Sequence, residues 1–459
     1  MNKIWLLLGV LVAAMGFYAC EDDDDPADGT PISVSAVYLQ DADSDVPDRE
    51  VEFARLGQVL RIEGSGFEGL RRLYVNGHNT YFNPVYVTDN NVLFRLDEDT
   101  PTMEAEDDVR NTIRLVKPGT ESTYDFEIRA SAPSISRISH TMPQAGEPII
   151  IYGSGLVEIE RVVFPEDVEV TEGIVSDEDG EYVTVVVPDG ISESGAVLVE
   201  GANGGAYSPA YFNYEEGVIL DFDGNGEQGF WGWEADGSMI NDEDLESAEI
   251  GTDNVSQGTY VPHRPERIES FGANQNRLTE VWTAGNDVDD WRGQLTPDIP
   301  ASTPVSEVAF QFDIYVPEAW SNTGFLKICL INDFNGGEWS GAAYNYVPWI
   351  EDKEVVPFET DGWQTVTIPF SDFYAFSDDE EDYTFEDVLL TREEASYKNF
   401  GFFFENSNFE LSQLTGNDSD EEEFEASETS IDVYTDNWRV VPLEQPEYTD
   451  FPEEGETEE

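Results

Sequence analysis

The chain of 459 residues is short of cysteine, histidine and basic side chains: it has two cysteines, three histidines and 22 basic residues, five of them lysine. Each shortage removes a class of function. Two cysteines build no disulfide framework. His78, His140 and His263 are scattered singly, so they give no metal-ligand spacing and no Cys/His pair, and they read as surface or turn residues. Against 98 acidic residues the formal charge is −76. A surface this negative repels nucleic acid, anionic headgroups and polyanionic glycans, and no basic patch is expected to offset it. The acid is spread along the whole length, which suits salty surroundings where screening is short-ranged. Helical periodicity is almost absent. No G-x-S-x-G elbow and no Glu-x-Asp-x-x-Glu strand pattern occurs. One more absence is local. From Cys20 to Phe230 there is no tryptophan, whereas nine fall between Trp231 and Trp438.

Residues 1–19, MNKIWLLLGVLVAAMGFYA, carry Lys3 and then an apolar run too short for a comfortable membrane span. Cys20 follows, then EDDDD. This resembles the leader and acidic export signal of Bacteroidetes surface lipoproteins. It implies a signal peptide over 1–19, lipidation of Cys20, an acidic tether over 20–30 and outer-membrane, cell-surface localisation. Membrane contact is then through the lipid alone. The alternative is an ordinary signal peptide cleaved near Ala19. Cys329, in FLKICLIN, reads as a small buried hydrophobe.

Residues 132–215 read as short alternating strands between turn signals: PIIIYGSG, ERVVFP, YVTVVVP and GAVLVEG. The order of these elements resembles the IPT/TIG immunoglobulin-like module. Residues 31–130 resemble a second copy, because RLGQVLRIEGSGFEGLRRLYVNG aligns with AGEPIIIYGSGLVEIERVVFP. Neither module shows a nucleophile, a metal cluster or a tryptophan, so both read as spacers.

From 217 to 443 the pattern is again β, with strands expected at VILDF, VAFQFDIYVP, GFLKICLIND, WQTVTIPF, NFGFFFEN and IDVYTDNWRVV. The opening and closing strands resemble those of galactose-binding-like sandwiches in carbohydrate-binding modules. The fold expected is therefore all-β: two IPT/TIG sandwiches, then a larger galactose-binding-like or jelly-roll sandwich. Charge runs from Ser377 and Asn417, and an acidic tail over 444–459, read as solvated or disordered. With the leader and the tandem modules, the chain resembles a surface glycan-binding lipoprotein of a Bacteroidetes polysaccharide-utilisation locus. That resemblance implies an outer-membrane transporter and its lid lipoprotein as partners.

Aromatic rings stack on the C–H faces of sugars, so the tryptophan-rich half is the expected binder. Trp363 and Trp438 sit in regular strands and read as core. The segment DFNGGEWSGAAYNYVPWIEDK looks like a loop and supplies Trp339, Tyr344, Tyr346 and Trp349 as candidate platforms; WTAGNDVDDW adds Trp282 and Trp291. DFDGNGEQGFWG has EF-hand spacing at its start but glycine at the twelfth position. A structural calcium ion held by Asp221 or Asp223 with Asp436 is a second candidate, known in similar folds, and binding itself requires no cofactor. The ligand expected is a neutral polysaccharide such as a β-glucan, mannan, xylan or xyloglucan. The rival readings are a surface glycoside hydrolase, which needs two carboxylates flanking the scissile bond, and a structural adhesin module.

Overall fold

The computed structural model describes residues 30–42, 44, 46–230, 239–250, 258–264, 277–285, 288–321, 324–332, 342–378, 381–415, 422–425 and 431–449. The leader, Cys20 and Trp339 lie outside these residues. The chain divides into two compact units, with the break after Ala132. The first module is one unit; the second module and the C-terminal domain make up the other.

In the first module Leu60 and Ile62 are buried while Arg61 and Glu63 between them face water, the period-two pattern of a one-sided strand. A five-stranded sheet runs in the order Asp48–Glu50, Ser33–Gln40, Val59–Ser65, Asn91–Arg95, Phe82–Val87. It packs through Leu60, Ile62 and Phe67 onto Leu73, Val75 and Leu115 of a four-stranded sheet. The second module repeats the plan with two four-stranded sheets around Ile149, Ile151, Val162, Val183 and Val199.

The repeat is physical as well as textual. A Cβ on Gly64 would stand 2.0 Å from the carbonyl oxygen of Ser33, and one on Gly153 would stand 1.8 Å from that of Ser134. In both modules the opening strand bulges opposite that glycine, between Val34 and Ala36 and between Ile135 and Arg137. The G-S-G signature marks the place where two backbones come too close for any side chain.

One expectation about charge fails in the first module. Pairing of Arg72–Val75 with Thr112–Lys117 brings Arg71, Arg72, Arg114 and Lys117 together around Tyr74. The Arg114 guanidinium lies 4.3 Å from the Tyr74 ring centroid. Four basic side chains therefore gather there, with Arg114 3.5 Å from Glu121 and Lys117 buried; they come from positions far apart in sequence, which a search for basic runs does not detect.

The C-terminal domain is a sandwich. One sheet orders Val218–Leu220, Val433–Pro442, Val308–Tyr315 and Gln364–Pro369, with Val261–His263 also on Val433–Pro442. The other orders Gln228–Gly229, Arg277–Thr283, Gly401–Glu405, Phe325–Cys329 and Ala343–Tyr346. All eight residues of Val308–Tyr315 are buried, because both of its faces are covered. Phe310, Phe312 and Ile314 enter the main core. Asp313 faces the second module, where Arg439 Nη2 lies 2.9 Å from it and 2.8 Å from Thr141 Oγ1. His140 Nε2 is 3.4 Å from the same carboxylate. Farther along, Tyr315 packs with Tyr260, Trp363 and Tyr434.

Two details depart from expectation. Phe385–Glu394 is a helix, started by a capping box in which Thr384 and Asp387 exchange hydrogen bonds. The described start of the acidic tail lies along the second module: Ala210 N–H donates to the Glu444 carbonyl, and Tyr448 Oη lies 2.7 Å from Glu200. Cys329 is buried, as its apolar strand suggests.

Candidate functional site

Phe402 and Phe404 enter the core, so by alternation Phe403 and Glu405 face out from the second sheet. Ladder pairing sets Lys327 beside Phe403, Asn345 beside Lys327, Ala343 beside Cys329 and Trp282 beside Gly401. The outward face thus carries a small apolar cluster of Met239, Trp282, Cys329, Ala343 and Phe403. Next to it runs a polar row. Lys327 Nζ lies 2.9 Å from Glu405, and the side-chain oxygen of Asn345 is buried with no hydrogen-bond partner among the described residues. Tyr374 borders the row: burial, with Tyr344 and Glu405 nearby, pushes its phenol up to about 12, while the Asn345 backbone hydrogen-bonds it. Phe230, more than half exposed, follows the edge strand. Residues 231–238 leave at Phe230 and rejoin at Met239; residues 333–341 leave at Asn332 and rejoin beside Ala343. These two segments carry Trp231, Trp233 and Trp339. Trp231, Trp233 and Trp339 lie outside the described residues.

The other six are buried, and this corrects most of the expected platform set. Trp282 is fully buried and donates its Nε1 hydrogen to Glu280 at 2.9 Å. Trp291 is stacked by the Arg392 guanidinium, 3.8 Å from its ring, with Phe400 at 5.3 Å. Trp349 packs edge-on against the stacked pair Phe409 and Phe424 and donates to the Gly324 carbonyl at 2.9 Å. Tyr344 and Tyr346 are half-buried against the core, 5.9 Å from Phe373 and 5.8 Å from Phe312. The physical reason is that segments rich in Gly, Asn and Asp still form strands here. Trp282 lies on Arg277–Thr283, and in Ala343–Tyr346 the alternation turns both tyrosines inward and Asn345 outward. Sequence reasoning missed Asn345, Lys327 and Tyr374. A lysine inside an otherwise apolar strand was the available signal for Lys327.

Protein donors engage each of the calcium candidates. Asp221 Oδ1 accepts the backbone N–H groups of Asp223, Gly224 and Asn225 at 2.9, 3.0 and 2.8 Å, closing the turn on itself. Asp223 accepts from Thr259 N–H and Oγ1. Asp436 is buried opposite Asp313 and accepts the Asn437 N–H at 2.7 Å. Among the described residues no three His, Cys, Asp or Glu side chains converge as a metal site.

Two of the histidines are interior, against expectation. His263 is held between Thr279 and the Thr435 hydroxyl, and burial lowers its pKa to about 4. For His140 burial alone would lower the pKa, but Asp313 and Glu147 carry it up to about 9. Both serve packing and joints: His263 stacks on Phe402 from the core side of the second sheet, and His140 sits at the joint of the second module with the C-terminal domain.

Residues 212–442 match the surface glycan-binding protein B xyloglucan binding domain. The chain belongs to the surface glycan-binding protein B family. This family is one of non-catalytic binding proteins of the cell surface. A curated relative, an IPT/TIG domain-containing protein of Bacteroides ovatus, is 23% identical over 207 residues, 42% of this chain and 41% of the relative. The chain thus aligns to less than half the length of that relative. Among solved structures, the surface glycan-binding protein PbSGBP-B from Prevotella bryantii superposes at a TM-score of 0.63 with 19% identity, over 91% of this chain and 100% of that one. This likeness bears out the expected fold. SGBP-B from a complex xyloglucan utilization locus in Bacteroides uniformis gives a TM-score of 0.46 with 16% identity, over 90% and 100%.

Proposed function

We propose that this chain captures a neutral β-glucan of the xyloglucan class at the bacterial surface and holds it without cleaving it. The observation that carries this reading is the family match over the C-terminal domain. The C-terminal domain is the proposed site: Trp231, Trp233 and Trp339, outside the described residues, are the candidate stacking platforms, and Asn345, Lys327, Glu405 and Tyr374 of the second sheet's outward face are the candidate polar contacts. A neutral polymer meets no Coulomb penalty from a chain of charge −76. Indole faces supply stacking of about 1–3 kcal/mol each, by analogy with bases on aromatic rings. The Asn345 amide oxygen, without a hydrogen-bond partner among the described residues, is suited to accept from a sugar hydroxyl. Binding of this kind requires no cofactor. The leader supports tethering through Cys20, and delivery to an outer-membrane transporter and its lid lipoprotein follows from the family resemblance.

Affinity electrophoresis on gels holding xyloglucan, mixed-linkage glucan, xylan or mannan tests the reading. Wild type should be retarded by at least the xyloglucan gel, with no reducing ends released. The variant combining Trp231→Ala, Trp233→Ala and Trp339→Ala should run freely with an unchanged melting curve. Free migration of wild type on every gel, or release of reducing sugar, rejects the proposal. Full retention of the triple variant rejects the site.

A further inference from the structure

The first module was read as a spacer, yet it presents the most open aromatic side chains described in the molecule. Tyr81 is 76% exposed and Tyr86 57% exposed. They flank a cleft of about 520 Å³ that Phe82, Asn83, Asp97, Glu98 and Asp99 help to line. This is within the range of small-ligand sites, roughly 300–1,000 Å³. The cleft is built into the strand pairing. Phe82 pairs with Phe94 and Val87 with Val92, so the four residues 83–86 stand opposite Leu93 alone. The surplus bows away from the sheet, and Asn83 Oδ1 pins the bow by accepting the Val85 N–H at 3.1 Å. Bulges of this sort re-aim side chains, and here the outcome is an open Tyr86. No side-chain hydrogen bond and no ring or cation contact engages either tyrosine among the described residues.

We infer that this cleft is a second saccharide-binding site, taking one or two sugar units of a neutral glycan. The chemistry selects that occupant over others. Two phenol rings offer flat faces for pyranose C–H bonds, and the carboxylates and amide beside them can accept hydrogen bonds from hydroxyls. Addition of another chain's strand to the free edge is blocked by Pro84, which has no N–H to give. Three carboxylates at consecutive positions 97–99 oppose an anionic ligand, and they oppose a second copy of so acidic a chain. A neutral polyol carries no such cost. The ligand class rests on the proposed function; the location does not.

Isothermal titration of the full chain with a xyloglucan heptasaccharide counts sites, and sedimentation velocity reports self-association. Wild type should bind two oligosaccharides per chain. The Tyr81→Ala/Tyr86→Ala variant should bind one, and its retention by long polymer should weaken on the order of a hundredfold through lost avidity. Tyr81→Phe/Tyr86→Phe should keep two sites, because the faces remain. One site in both wild type and the alanine variant overturns the inference and leaves the proposed function intact. No binding by wild type overturns both. A dimer present in wild type and lost in the alanine variant overturns the inference in favour of self-association.

Discussion

The first module has no tryptophan and shows two of its tyrosines, Tyr81 and Tyr86, to water; the C-terminal domain is rich in tryptophan and buries all six that are described. The same inversion holds for charge. Residues 31–132 carry 10 basic against 19 acidic side chains, whereas residues 133–459 carry 11 against 73. The lesson concerns what an abundance of aromatics means. A large sandwich closed by long connections needs bulky rings to fill it, and Trp282, Trp320, Trp349 and Trp438 serve that need. The smaller sandwich is filled by Leu, Ile and Val with Phe67, Phe94 and Phe126, and needs no indole.

The contrast predicts opposite responses to truncation. Trp282→Ala and Trp349→Ala should each cost about 3–5 kcal/mol of stability, while Tyr81→Ala and Tyr86→Ala should stay within about 0.5 kcal/mol. Urea denaturation measures both. Equal losses at the two kinds of site would erase the distinction drawn here.

The joint inside the larger unit should be nearly as sensitive. Asp313→Asn strips the charge that Arg439 and His140 face, and should cost about 3–5 kcal/mol. A change under 1 kcal/mol in the same assay would show that the second module and the C-terminal domain do not depend on the pair.

The two interior histidines sharpen the comparison through pH. His140 has a folded pKa of about 9 against an ordinary 6.5. Its contribution is complete below pH 6.5 and is lost as pH rises through about 9. His263 has a folded pKa of about 4. Its burial is harmless above pH 6.5 and costs increasingly as pH falls towards 4, because only the unfolded chain takes up the proton. Each limb is worth about 3 kcal/mol. The melting temperature should therefore peak between the limbs; His140→Asn should flatten the alkaline one and His263→Asn the acid one. Identical profiles for both variants and wild type would contradict the assignment.

A chelator should have the smallest effect. Asp221, Asp223 and Asp436 are occupied by protein donors, so EDTA should leave the melting temperature within error. A fall of several degrees would show that a metal binds there after all.

Much of the fold was legible in the sequence. The G-S-G pair aligned the two modules because a steric rule enforces glycine at both places, and the expected strands of the last domain all formed because their alternation is strong. The site was less legible. Trp282 looked like a loop residue since Gly, Asn and Asp follow it, but it pairs within Arg277–Thr283; Trp349 does sit in a turn, and its ring is buried there against Phe409 and Phe424. Nothing beside Arg439 in the sequence marks its role; only the fold brings Thr141, some three hundred residues earlier, against its guanidinium. The open Tyr81, just before Phe82–Val87, and Tyr86 within it escaped notice because a bulge changes which way a side chain points without changing composition.

The seam around Arg439 also dictates how the molecule can be divided in the laboratory. A clone beginning at residue 217 would uncover a guanidinium and a carboxylate that normally meet the second module, and would also leave Tyr448 without the Glu200 it reaches for. Dissection should start at Pro133, so that the polar seam leaves the cell still closed.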